Sequence, residues 1–259
     1  MEVVSGVTEL RPEHGRLFVV VGVFDGLHRG HAYLLRHLRR EAARRDARPA
    51  VITFDHHPDE VLVGAAPPLL CDPAERLERL ATAGVQLTVV QHFDEALRQT
   101  EFDAFVASIA SRVDLAGFLM TPDAAFGYER RGTPEALADL GQRLGFEVAI
   151  VPPFELDGRP VRSTDIRRAI AAGDLAAAAR LLGRPVAVVG NAVPAPAGAR
   201  VEFEIPVALP AAGVYPVRAE ASGTSVRARA SVDGSRLELD RPLRGRVRVE
   251  FRDSAGPAR

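Results

Sequence analysis

The chain has 259 residues, with 33 basic against 34 acidic side chains and a formal net charge of −1. It is long enough for one large domain or two smaller ones, and its balance gives no global electrostatic case for nucleic acid or an anionic membrane as partner. The single cysteine, Cys71, excludes an intramolecular disulfide and fits a reducing compartment, while the complete absence of lysine excludes a P-loop or a Schiff-base mechanism.

The first sixteen residues lack a basic region followed by an apolar run, and no segment reaches the length of a membrane span. A cytoplasmic protein is expected. Residues 17–23 are almost all Leu, Val and Phe, which reads as a strand buried on both faces. Asp25 and Gly26 then turn the chain, and residues 32–40 carry apolar side chains at 34, 35 and 38 with basic ones opposite, a helical spacing. Strand, glycine-rich loop and helix start together make a place where phosphate oxygens meet backbone N–H groups and the positive end of a helix dipole. His28 and His31 are additional donors beside it.

Further strands are expected at residues 50–54, 85–91, 115–120 and 146–151. Helices are expected at 73–83, with Asp72 as N-cap, at 101–112 and at 134–144. Alternating strands and helices imply a parallel sheet, whose ligands sit beyond the carboxyl ends of the strands. His28, His57 and Asp123 all follow strand ends. Ser163 reads as the N-cap of a helix from Thr164, a second anion-binding helix start with arginines beside it. Residues 183–185 (Gly-Arg-Pro) mark a boundary. Past it, short alternating strands around 201–205, 226–230 and 247–251 suggest a small barrel, and 191–200 reads as a Pro/Ala loop.

Four spaced motifs now stand in order: residues 22–31 (GVFDGLHRGH), 53–58 (TFDHHP), 123–127 (DAAFG) and 163–167 (STDIR). Together they resemble the bacterial bifunctional riboflavin kinase/FAD synthetase family, within the HxGH nucleotidyltransferases. The resemblance implies a Rossmann-like α/β nucleotidyltransferase domain over 1–185, with a small antiparallel β-barrel over 186–259. It implies adenylyl transfer from ATP to FMN, giving FAD and pyrophosphate, with Mg²⁺ bridging phosphate oxygens. ATP would be held by Gly22, Phe24, Asp25, Gly26, His28, Gly30, His31, Ser163, Thr164 and Arg167, of which His28, His31 and Arg167 are the catalytic set. FMN would be lined by Phe54, His57, Pro58, Asp123 and Phe126.

Two positions differ from the family pattern on the flavin side: Ala124 stands for a Phe and His56 for a Pro. In the barrel the kinase signature is missing, with Val207 and Leu209 where Thr and Asn would bind Mg·ATP. Apolar side chains do not ligate magnesium, so a barrel without kinase activity is expected. His28, His31, His56 and His57 lack the Cys or Glu spacing of a metal site, and no metal ligand is assigned. The residues leave open transfer to another phosphorylated acceptor, or nucleotide binding without turnover. They do not give the oligomeric state.

Overall fold

The structure is a computed structural model and describes residues 1–252. In chain order its first half contains β1 (Glu2–Val4), β2 (Arg16–Val21), α1 (Arg29–Arg44), β3 (Arg48–Phe54), α2 (Asp59–Leu62), α3 (Pro73–Thr82), β4 (Leu87–Gln91), α4 (Glu95–Arg98), α5 (Phe102–Ala110), β5 (Asp114–Met120), α6 (Pro134–Leu144) and β6 (Glu147–Ile150). A short hairpin, β7 (Glu155–Leu156) with β8 (Arg159–Pro160), leads to α7 (Ser163–Ala171) and α8 (Leu175–Leu182). The chain groups into two units. The first comprises Met1–Phe24, Gly30–Pro67 and Leu77–Pro160; the second comprises Asp25–Arg29, Pro68–Arg76 and Val161 onward.

The first unit is built on a six-stranded sheet of order β1-β4-β3-β2-β5-β6, in which every neighbouring pair is parallel. Successive residues of a strand face opposite sides, so the unbroken burial of residues 17–20 in β2 and 49–53 in β3 requires cover on both faces. Leu17, Val19, Ile52 and Val89 join Phe105, Val106 and Ile109 of α5 and Leu137 and Leu140 of α6 in one core. Leu35 and Leu38 of α1 are fully buried as well. Each such side chain contributes about 1.5–3 kcal/mol relative to remaining in water. The sequence reading did not anticipate β1: it is three residues long and mostly exposed, and it extends the sheet through its register with β4.

The second unit carries β9 (Ala187–Ala195), β10 (Gly198–Glu202), β11 (Gly213–Ala221), β12 (Thr224–Asp233), β13 (Arg236–Leu239) and β14 (Gly245–Phe251). They close into an antiparallel barrel of order β10-β13-β12-β11-β14-β9. Alternation sets which residues face inward: Ala228, Ala230 and Val232 of β12 are buried, as are Val217, Ala219 and Ala221 of β11. Small side chains at these positions let a barrel this narrow close. The segment 191–200, expected as a loop, is instead the β9–β10 hairpin. Prolines signal a loop in sequence, but Pro194 lies near the strand end, where a missing N–H costs little.

Candidate nucleotide-handling site

In the second unit the turn after β2 is a short 3-10 segment, Asp25–Leu27. Gly26 has φ of 75°, and a Cβ there would stand 2.7 Å from the Leu70 Cβ, so both backbone conformation and space demand glycine. The Asp25 side chain is only 4% exposed. Its Oδ1 accepts the Leu70 N–H at 2.8 Å, and its Oδ2 accepts from Arg167 Nη2 at 2.5 Å. Burial nonetheless raises the Asp25 pKa, outweighing the nearby Arg167 charge and the hydrogen bonds. Arg184 caps the same turn, donating to the Gly26 carbonyl at 2.7 Å.

His28 is buried, and desolvation, with the Arg184 and Arg167 charges, holds its pKa at about 4. The imidazole is therefore neutral at pH 7 and donates as an N–H rather than as a cation. Ser163 does not serve as the N-cap expected of it. That position is Arg162, without a side-chain cap, and the Ser163 hydroxyl instead donates to the Asp25 carbonyl at 3.4 Å. The helix thus starts one residue earlier, and a tertiary acceptor takes the hydroxyl. Thr164 is exposed in its first turn. Arg167 is tied down, with Nε on the Pro68 carbonyl at 2.8 Å and Nη2 on Asp25. Cys71 Sγ accepts the Gly26 N–H at 3.2 Å, and burial, helped by Asp25, pushes its thiol up to about 12.

The first unit holds a cavity of about 710 Å³, within the range of small-molecule sites. Gly22, Phe24 and His31 line it together with Phe54, His57, Pro58 and Phe126. Helix α1 starts at Arg29, earlier than its apolar pattern indicates, so Gly30 and His31 lie in its first turn. The His31 ring packs against Phe24 with centroids 5.1 Å apart. Phe24 itself has φ of 53°, a left-handed conformation that costs a non-glycine residue about 1 kcal/mol or more. The preceding peptide is anchored by Thr53 Oγ1, which donates to the Val23 carbonyl at 3.0 Å.

The far wall is aromatic, with Phe126 in contact with the rings of Phe105 and Phe118 and Phe54 edge-on to Phe93 at 5.2 Å. His57 Nδ1 accepts the Asp59 N–H at 3.2 Å. Ala124 also lines the cavity, whereas Asp123 does not; its carboxylate accepts from Thr121 Oγ1 at 2.8 Å. Phe93, on the cavity wall, and Arg184, on the Gly26 carbonyl, are not marked by the sequence: the first reads as a core aromatic and the second as part of a boundary.

A parallel α/β sheet with a histidine-bearing turn after β2, followed in the chain by a closed β-barrel, defines a nucleotidyltransferase-like protein of two units. The FAD synthetase family model matches residues 10–165, and the chain belongs to that family. A bifunctional riboflavin kinase/FMN adenylyltransferase of Pseudomonas fluorescens is 31% identical over 99% of this chain and 85% of its own length. The enzyme so described from Escherichia coli K12 is 32% identical over 74% of this chain and 63% of its own. Among solved structures, one described as a macrolide-efflux protein from Streptococcus pneumoniae superposes with a TM-score of 0.82 at 27% identity, covering 96% of this chain and 88% of that one. No helix among the described residues is long and apolar enough to cross a membrane.

Proposed function

We propose that this chain is a cytoplasmic FMN adenylyltransferase, taking Mg·ATP and FMN to FAD and pyrophosphate. The observation that carries the reading is the cavity, apolar and aromatic around Phe54 and Phe126 and bordered by Gly22 and His31. That is the composition a flat flavin ring with a phosphate tail requires. Family membership and the relatives' described activity support the same reading.

In the reaction a flavin phosphate oxygen bonds to the α-phosphorus of ATP as the bond to the β-phosphate bridging oxygen breaks. No covalent enzyme intermediate is required, so the protein's work is to position two anions and to meet the charge that develops on the phosphoryl oxygens. His31 and the neutral His28 donate to those oxygens. Gly22, Phe24, Gly26 and Gly30 let the backbone approach the nucleotide, and Asp25 fixes the turn. Thr164 through its hydroxyl and Ser163 through its backbone N–H, with the other N–H groups of the first turn of α7, take the outer phosphates, while the Ser163 hydroxyl stays on the Asp25 carbonyl. Arg167 offers them its Nη1 edge, since Nε and Nη2 are engaged. Phe54, His57, Pro58 and Phe126 hold the flavin, and Asp123 orders the loop beside them. Adenylyl transfer belongs to residues 1–185.

The barrel, residues 186–259, acts without kinase chemistry. Val207 and Leu209 supply no oxygen ligand, and the segment around them is occupied: Leu69 N–H donates to the Pro206 carbonyl and Ala208 N–H to the Leu69 carbonyl, both at 2.9 Å. The test is a paired assay. FMN with Mg·ATP should give FAD and pyrophosphate, and riboflavin with Mg·ATP should give no FMN. Pyrophosphate release with other phosphorylated acceptors but not with FMN would refute the choice of acceptor, and riboflavin turnover matching the FAD step would refute the reading of the barrel.

A further inference from the structure

Asp55, His56 and His92 have no role in the proposed reaction, yet they meet. Strands β3 and β4 run parallel with Phe54 level with Gln91, and the Asp55 N–H donates to the Gln91 carbonyl at 3.2 Å. The residues just beyond the two strands, Asp55 and His92, therefore emerge side by side although they are far apart in sequence. The carboxylate is fixed from both loops. Its Oδ1 accepts the N–H of His56 at 2.7 Å and of Phe93 at 3.1 Å, while Oδ2 lies 2.6 Å from His92 Nδ1. His56 Nδ1 stands 3.2 Å from Oδ1, and one ligand-type atom from each of the three residues lies within 4.8 Å of the others.

We infer that Asp55, His56 and His92 form a binding site for one divalent transition-metal ion of the Zn²⁺ class. Around a tetrahedral ion with bonds of about 2.0–2.1 Å, ligand atoms are separated by roughly 3.3 Å, and small ring rotations bring this group to that spacing. Two imidazoles and a carboxylate suit Zn²⁺, Co²⁺ or Ni²⁺, whereas Mg²⁺ takes an oxygen shell. The histidine side chains are 52% and 63% exposed, so the rings can turn and water can complete the coordination. The backbone donors on Oδ1 are the kind of outer contacts that orient a ligating carboxylate. Phe54 and Phe93, which line the cavity, are chain neighbours of Asp55 and His92. A bound ion ties together the two loops that carry them.

The experiment is a calorimetric titration of the tag-free, chelator-treated full chain with ZnCl₂ in the absence of nucleotide. The expected result is one ion bound per chain at micromolar zinc, with affinity reduced roughly 10–100-fold or more in both His92→Ala and His56→Pro. His92→Gln serves as a second variant, and circular dichroism verifies folding of all three. With Co²⁺ as probe, the wild type should develop visible d–d bands that the variants lack. No saturable binding by the wild type overturns the site, as does wild-type affinity in the variants, which would place the ion on other histidines. Loss in only one of the two positions overturns the three-ligand assignment.

Discussion

Replacing Arg167 by Met separates a phosphate-binding role from a structural one. Arg167 is the charged partner of an Asp25 carboxylate that is 4% exposed, and in its absence that carboxylate retains uncharged donors, the Leu70 N–H and the Cys71 thiol. Removing one partner of a buried pair costs about 3–5 kcal/mol, because the other charge is left uncompensated. For a domain of this size each kcal/mol corresponds to roughly 2–4 °C in Tm. Burial already raises the Asp25 pKa, and loss of Arg167 raises it further. The penalty is then present above the folded-state pKa and is relieved as pH falls through it and the carboxyl becomes neutral. Asp25→Asn in the Arg167→Met background removes the stranded charge while keeping an acceptor for Leu70, and it should recover most of the loss, with a coupling of about 2 kcal/mol or more. Thermal and urea unfolding of the two single variants and the double variant measure the cycle. If Arg167→Met unfolds at the wild-type temperature while FAD synthesis collapses, the guanidinium acts on substrate alone and the structural reasoning is wrong.

Three further outcomes are expected. His28, with a pKa of about 4 when folded against 6.5 for the free side chain, contributes stability that is complete above pH 6.5. That stability is lost as pH falls toward 4, at about 1.4 kcal/mol per pH unit and roughly 3 kcal/mol in all; a His28→Asn variant with the wild-type pH slope in urea unfolding would contradict this. Cys71, buried with its thiol pushed up to about 12, should resist a thiol reagent in the folded protein and react once per chain in denaturant; rapid native labelling would refute its burial. Gly117→Ala puts a Cβ 2.2 Å from the Glu147 carbonyl oxygen and 2.8 Å from the Phe18 ring, so β5 must separate from β6 and the variant should lose about 2 kcal/mol or more; unchanged thermal unfolding would count against the register.

What the sequence made legible was whatever periodicity and local turn chemistry encode. The apolar runs at β2, β3 and β5 and the helices α3 and α6 were readable because their burial patterns and caps are local, Asp72 taking the N–H groups of Ala74 and Glu75 as expected. The Gly26 turn was readable for the same reason. What escaped depended on distant partners. Strand β1 exists through β4, the β9–β10 hairpin through the barrel, and Ser163 turns to a carbonyl 138 residues away instead of capping its helix. Arg167 was legible as a site residue, but its bonds to Asp25 and Pro68 were not. Asp55 and His92 could have been paired only by someone who knew that β3 and β4 are adjacent and in register.

The strand-like contact between Leu69 and the segment around Val207 bears on inheritance. A barrel without its kinase signature would ordinarily be free to erode or be deleted. Here Arg246 and Arg248 form ion pairs with Asp72 and Glu75 at 2.9 and 2.7 Å, and Leu69 pairs with Pro206 and Ala208. The neighbouring Leu70 supplies the N–H that holds Asp25. Deleting the barrel would strip partners from the stretch that steadies the histidine-bearing turn. A barrel substitution that breaks these contacts is therefore expected to reach the turn, whatever chemistry the barrel itself performs.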